Sequence, residues 1–140
     1  MRMNLPRKRY ENLVSLGNEK RVIEKITTKW RCGAEKLPIS YGLDFALVDE
    51  KRKVKALAEI KVRSNPMDQY PTFFIAYHKI SHAKMWNHPC FLIVQWTDDL
   101  GFISLKEEPA YVAMGGRRDR GDQADQEPMA HFYIKDFTRI

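Results

Sequence analysis

The chain is short of the features that mark several common classes of protein. Its 140 residues hold two cysteines, Cys32 and Cys90, far apart and outside any C-x-x-C pair. That spacing argues against a disulfide framework and against a zinc site, and the expectation is two buried free thiols. No apolar run approaches the length of a membrane span. The first nine residues, Met1-Arg2-Met3-Asn4-Leu5-Pro6-Arg7-Lys8-Arg9, lack the apolar stretch of a signal peptide. The expectation is therefore an intracellular protein without membrane contact. There is no internal repeat and no sign of a second domain. Residues 1–140 read as one domain with a single core, for which an apolar content of 44% is ordinary. His78 and His82 have the spacing of zinc ligands on a helix, yet Lys79 stands where an H-E-x-x-H site needs its glutamate. Asp119, Asp122 and Asp125 do not follow calcium-loop spacing.

Acidic charge is also in deficit. The net charge is +6, with basic clusters at Arg7-Lys8-Arg9, Lys51-Arg52-Lys53-Lys55 and Arg117-Arg118-Arg120. A polyanion is the natural partner of such a surface, held with an affinity that falls as salt rises. Taken singly, each cluster is equally compatible with a solvated turn or tail.

What the chain does contain is a pair of apolar runs that carry acids. Leu43-Asp44-Phe45-Ala46-Leu47-Val48 and the run Val54 to Val62 flank the charged connection Asp49-Glu50-Lys51-Arg52-Lys53. This pattern predicts a β-hairpin. A turn centred between Lys51 and Arg52 sets Asp44 opposite Glu59, making the two carboxylates neighbours. Side chains alternate along a strand, so Lys61 shares the face of Glu59 while Phe45, Leu47, Ala58, Ile60 and Val62 line the other. The turn has no Asn-Gly or Asp-Gly, and a bulge that slipped the register by one residue would part the acids.

Two adjacent carboxylates repel and are relieved by a cation between them. Mg²⁺ suits the place, because it takes oxygen ligands, keeps several waters and needs one or two protein carboxylates beside substrate phosphate oxygens. Asp44, Glu59 and the main-chain carbonyl of Ile60 are the candidate metal ligands. Lys61 would neutralise a phosphate or position the attacking water. That composition points to metal-assisted hydrolysis of a phosphodiester.

Asp44 followed by Glu59-Ile60-Lys61 resembles the PD-(D/E)XK nuclease superfamily, with Leu43 in place of the motif's proline. The resemblance spans roughly residues 10 to 105. It implies an α/β, restriction-endonuclease-like fold with a central mixed β-sheet flanked by helices. It also implies a supporting glutamate on the helix before the hairpin, for which Glu19 is the choice and Glu24 the reserve. A helix after the lysine strand would bring Lys79 to the substrate phosphate. By the same resemblance the cofactor is Mg²⁺ or Mn²⁺ and the substrate DNA. Lys51, Arg52, Lys53, Arg117 and Arg118 are the further candidates for holding nucleic acid. Two other readings stand beside the nuclease: a nuclease-like module that binds nucleic acid or a protein without cutting, and a junction resolvase working as a homodimer. A chain without a separate recognition domain would draw specificity from loops, from DNA shape or from a protein partner.

The remaining elements follow from periodicity. Tyr10 to Trp30 predicts an amphipathic helix with Leu13, Leu16, Val22, Ile23, Ile26 and Trp30 near one face, weakened or divided at Gly17. Arg31 to Leu37 predicts an edge strand ending at Pro38. Tyr70 to Trp86 predicts a helix with Pro71 in its first turn and Phe73, Phe74, Tyr77, Ile80 and Met85 on its packing face. Phe91–Trp96 and Phe102–Leu105 predict strands. Gly115 to Pro128 predicts a long polar loop, of the kind that is usually functional or disordered, and the final run predicts a return to the sheet.

Overall fold

In the computed structural model, residues 13–116 and 126–140 are described, with side chains placed for 17–115 and 126–140. The first helix, α1, runs Leu13–Trp30 without a break at Gly17. It stops where Arg31 turns to a φ of 53°. Its apolar stripe of Val22, Ile23 and Ile26 packs on Phe45, Leu47, Ala56, Ala58, Ile60 and Ile93. Those sheet residues include the apolar face expected of the hairpin.

That sheet has six strands. β1 (Gly33–Lys36) pairs antiparallel with β2 (Phe45–Val48), and β2 with β3 (Val54–Val62). β3 lies parallel to β5 (Cys90–Gln95), which pairs antiparallel with β6 (Leu100–Ser104), and β6 with the short β9 (Thr138–Arg139). The order is β1-β2-β3-β5-β6-β9. One parallel pair in an otherwise antiparallel sheet makes it mixed, and β3 and β5 hold its middle. The chain crosses between them over the face opposite α1.

The expected helix from Tyr70 to Trp86 is half wrong. β4 takes Thr72–Ala76, and the helix α2 is confined to His78–Met85. Phe73 and Ile75 are buried and Phe74 is half exposed, which is the alternation of a strand. Strand wins because a partner is present: β4 pairs antiparallel with β8 (Gln126–Tyr133), Thr72 opposite Tyr133 and Ala76 opposite Met129. The expected polar loop is corrected by the same pairing at its two ends, while its residues 117–125 lie outside the described residues. β7 (Tyr111–Gly116) aligns with β8, with Gly115 opposite Glu127 and Met114 opposite Pro128. Gly115, Gly116 and Gln126 to Pro128 are therefore strand residues, and the Pro128 carbonyl accepts the Tyr77 N–H at 2.9 Å.

This second sheet, ordered β4-β8-β7, covers the far face of the large sheet together with α2. The flank is thus one helix on one face, and a helix plus a small sheet on the other. Between them lie Ala46, Val48, Leu57, Leu92 and Val94 from the large sheet, Ile80 and Ala83 from α2, and Phe73, Ile75, Ala130 and Phe132 from the small one. No helix among the described residues is long and apolar enough to cross a membrane.

Candidate functional site

The hairpin fixes the first acid. Phe45 pairs with Ala58, Ala46 with Leu57 and Leu47 with Ala56, the register expected from a turn between Lys51 and Arg52. An irregularity does occur, between Leu47 and Val48, on the turn side of these pairs. It leaves the acid end of the hairpin in register. Asp44 lies one residue before β2. Its N–H donates to the Ala58 carbonyl at 3.0 Å, and its own carbonyl accepts from Leu37 N–H at 2.8 Å. The Asp44 Oδ2 atom then accepts the Ile60 N–H at 2.8 Å, so a side-chain carboxylate stands where a strand would offer a carbonyl. A charged acceptor strengthens that bond and holds the side chain in one orientation.

Glu59 faces the opposite side of the sheet from α1 and is only 2% exposed. Its Oε2 lies 3.3 Å from Lys61 Nζ and its Oε1 3.3 Å from Lys79 Nζ, on the first turn of α2. Oε1 is buried without a well-formed hydrogen bond. Burial pushes the Glu59 carboxyl above the ordinary glutamate range, and the neighbouring Asp44 pushes it further; Lys61 and Lys79 oppose both. Desolvation wins over the two cations.

Glu19 comes to the same place from α1. Lys36, the last residue of β1, spans the gap, with its Nζ 3.2 Å from Glu19 Oε1 and 3.6 Å from Asp44 Oδ1. Asn18 and Glu19 form one wall of a cleft of about 600 Å³ whose other wall is Ile60 to Ser64, including Lys61. Glu24 lies exposed farther along the helix. Asp44, Glu59, Lys61, Glu19 and Lys79 are thus brought together from four places in the fold: the residue before β2, the strand β3, and the helices α1 and α2.

The basic candidates are placed elsewhere. Lys51, Arg52 and Lys53 occupy the tip of the hairpin, the end opposite the acids, and are exposed. Arg52 adopts a φ of 65° and is ion-paired with Glu35 of β1. Arg117 and Arg118 lie outside the described residues.

Two contributors were not anticipated from sequence. Lys36 gave no signal, since nothing local distinguishes a lysine at the end of an edge strand. Gly42 is the other. It follows a short 3₁₀ turn, Ile39–Tyr41, and takes a φ of 80°, a conformation glycine adopts without strain. A methyl group there would run into the His82 ring, so α2 seats directly on this residue. Lys79 Nζ donates to the Gly42 carbonyl at 2.8 Å. The turn that delivers Asp44 and the helix that delivers Lys79 therefore lock on one another.

The oxygen donors suit a hard cation. Among the described residues no group of three or more His, Cys, Asp or Glu side chains is placed to hold a metal. That is not the pattern of a closed zinc site. Two carboxylates and a main-chain carbonyl, completed by water and phosphate oxygens, are what Mg²⁺ accepts, and Glu59 Oε1, ion-paired with Lys79 but without a well-formed hydrogen bond, is an oxygen of that kind.

Comparison with known proteins identifies the family and the fold. Over residues 5–140 the chain matches the family described as "Phage putative PDDEXK endonuclease". Among solved structures, that of Archaeoglobus fulgidus Hjc, a Holliday junction resolvase from an archaeal hyperthermophile, has the same fold with a TM-score of 0.54. Identity to it is 8%, over 88% of this chain and 92% of the resolvase chain. A search of curated proteins finds no match. With an α/β fold built around a mixed sheet and a family match along nearly its whole length, the chain belongs to the phage PDDEXK endonuclease family and is a nuclease of the PD-(D/E)XK superfamily.

Proposed function

We propose that the nuclease cuts DNA at the cleft between α1 and the end of β3, using Mg²⁺ or Mn²⁺ held by Asp44, Glu59 and the Ile60 carbonyl. The observation that carries this reading is the meeting of Asp44 with a buried Glu59 whose carboxyl lies 3.3 Å from Lys61. A buried acid flanked by another acid is costly to fold and is suited to binding a cation. When bound, the cation polarises a phosphoryl oxygen and acidifies water. Lys61, one-third exposed at the cleft, sets a positive charge where the attacked phosphate gains negative charge, and it orients the nucleophile. Asp44, tied to Ile60 N–H, keeps its second oxygen turned toward Lys36. Glu19 orders water on the α1 side. Lys79 balances Glu59 from α2 and is within reach of a substrate phosphate.

The test is cleavage of supercoiled plasmid and of single-stranded DNA by purified protein in Mg²⁺, Mn²⁺ or EDTA, beside an Asp44→Ala control. Cutting in either metal that EDTA and the control both lose is the expected result. Retained cutting by the control would remove Asp44 from the chemistry. Binding without cutting on both substrates would favour the non-catalytic module.

The hairpin tip supplies a phosphate track in this reading. Replacing Lys51, Arg52 and Lys53 together by Ser should flatten the salt dependence of DNA binding. The slope of log affinity against log salt should fall by up to about 2.7 if each residue meets one phosphate. An unaltered slope would place the track elsewhere. A junction resolvase is the second reading, favoured by the fold shared with the archaeal resolvase. Cutting two strands together would then require two copies of this chain, and a homodimer in solution is the matching state.

A further inference from the structure

A cavity of about 500 Å³, not used by the chemistry, shares Arg63 with the cleft and is otherwise lined largely from the Tyr70–Phe74 segment. Its floor is apolar, made by Phe73 and Trp96, which pack edge to face with centroids 5.9 Å apart. Tyr70 and Phe74 add further rings to the lining, and Asn65, Thr72 and His131 supply its few polar atoms, with Thr72 Oγ1 3.1 Å from His131 Nδ1 and Asn65 Nδ2 donating to the Pro66 carbonyl at 2.9 Å. A volume of this size with aromatic walls and a few convergent polar groups is typical of a site for a small planar molecule.

Arg63 joins this cavity to the cleft, because it lines both. It continues the alternation of Glu59 and Lys61 one step beyond the end of β3. Its guanidinium lies over the Phe73 ring, 4.9 Å from the centroid, and donates to its neighbour's carbonyl, Val62, at 3.1 Å. Among the described residues it has no carboxylate partner. A planar cation held on an aromatic face and short of an anion is suited to a phosphate.

The rim shows what would enter. Among the described residues, Tyr70 is 57% exposed and Phe74 50%, so each of these large rings keeps about half its surface open. Phe74 lies 5.1 Å from His131, and His131 stacks on Tyr111 at 4.4 Å and 12° between planes. A row of rings crosses the small sheet and ends at the cavity mouth with a half-open aromatic face. A further flat ring would extend that row.

We infer that this cavity takes one unpaired base of the nucleic acid, stacked against Phe74 and Tyr70, while Arg63 holds the phosphate that links that nucleotide to the cutting site. This rests on the proposed cutting site, since the path of the strand is drawn from Lys61 through Arg63. A base in a duplex cannot reach so enclosed a place without leaving its stack, and an already unpaired base pays least for it. The nuclease should accordingly prefer DNA with an unpaired nucleotide next to the cut.

The test uses the full chain and two oligonucleotide sets, one fully paired and one with a single unpaired 2-aminopurine. In EDTA, where no strand is cut, entry of the probe base into the aromatic cavity should quench its fluorescence. Phe74→Ala and Tyr70→Ala should each remove most of that quenching, and Phe74→Tyr should restore it. In Mg²⁺ the ratio of unpaired to paired cleavage should fall about tenfold in each alanine variant, the loss of one stacking contact. Quenching equal in wild type and both alanine variants overturns the cavity assignment, even if all three proteins cut DNA. Quenching lost in the variants, from a wild type that cuts neither substrate, sustains the cavity and overturns the nuclease mechanism instead.

Discussion

Glu59→Gln should abolish cleavage and leave a protein that melts at a higher temperature than the wild type. The two effects have one cause. Glu59 is buried beside Asp44, and its carboxyl is held above the ordinary glutamate range by desolvation first and by Asp44 second. A carboxyl with a raised folded value binds its proton more tightly folded than unfolded. The stability it contributes is fully present below the unfolded glutamate value and is lost as pH rises through the folded one. Above the unfolded glutamate value, the wild type carries the cost of keeping this carboxyl in the interior. Glutamine has nearly the same shape and no charge to pay for. The gain in stability should be about 0.5–2 kcal/mol, the usual size when a functional liability is removed. In thermal melts without metal, the gap between variant and wild type should widen as the buffer is made more basic and close in acid. Activity should drop about 10³-fold or more, as when a group acting directly on the transition state is lost. A variant that cuts normally would remove Glu59 from the site. A variant that is less stable at every pH would show that Lys61 and Lys79 need the carboxylate more than burial opposes it.

Asp44→Asn should weaken metal binding at least ~100-fold in calorimetry, since loss of a direct ligand costs no less than loss of the groups that orient one. The fold should survive, because asparagine still offers an oxygen to the Ile60 N–H that Asp44 Oδ2 now accepts. A second consequence follows from charge. Asp44 raises the Glu59 carboxyl, so the neutral variant should let that carboxyl ionise in more acidic solution. The acid limb of the residual pH–rate profile should move to lower pH. An unchanged metal titration would show that the Asp44 carboxylate is not a ligand, and an unmoved acid limb would show that the two carboxyls do not sense one another.

The part of this arrangement that could be read from sequence is the part made locally. Asp44, Glu59 and Lys61 belong to one hairpin, and a period of two plus a charged turn is enough to set them on paper. Arg63, one step farther along the same alternation, was not singled out from the sequence. Glu19 was reached only through the family likeness, because no short-range rule ties a helical glutamate to a strand on the next layer. Lys36 was invisible for a similar reason: its importance comes from the edge pairing of β1 with β2, which brings it between α1 and Asp44. The error at Thr72–Ala76 has the clearest physical origin. Phe73, Phe74, Tyr77 and Ile80 fit a helical face, but the strand that makes Phe73 and Ile75 core residues is supplied by Met129 to Tyr133, far along the chain. Local pattern proposed a helix and a distant partner decided for a strand. The glycine and glutamine residues around Gly115 and Gln126 were taken for loop because their strand character is borrowed from Tyr111–Met114 and Met129–Tyr133 on either side.

The lysines around the acids carry one more implication. Glu19, Asp44 and Glu59 are each matched by a lysine of the same chain, through Lys36, Lys61 and Lys79. The protein therefore brings its own counter-ions to these acids, although at Glu59 they offset only part of the cost of burial. In the proposed mechanism a divalent ion would then be a removable part, taken up with the substrate's phosphates and surrendered to a chelator while the architecture stands. Such a nuclease can be kept folded and idle wherever free metal is scarce, and set working by the arrival of metal and DNA together.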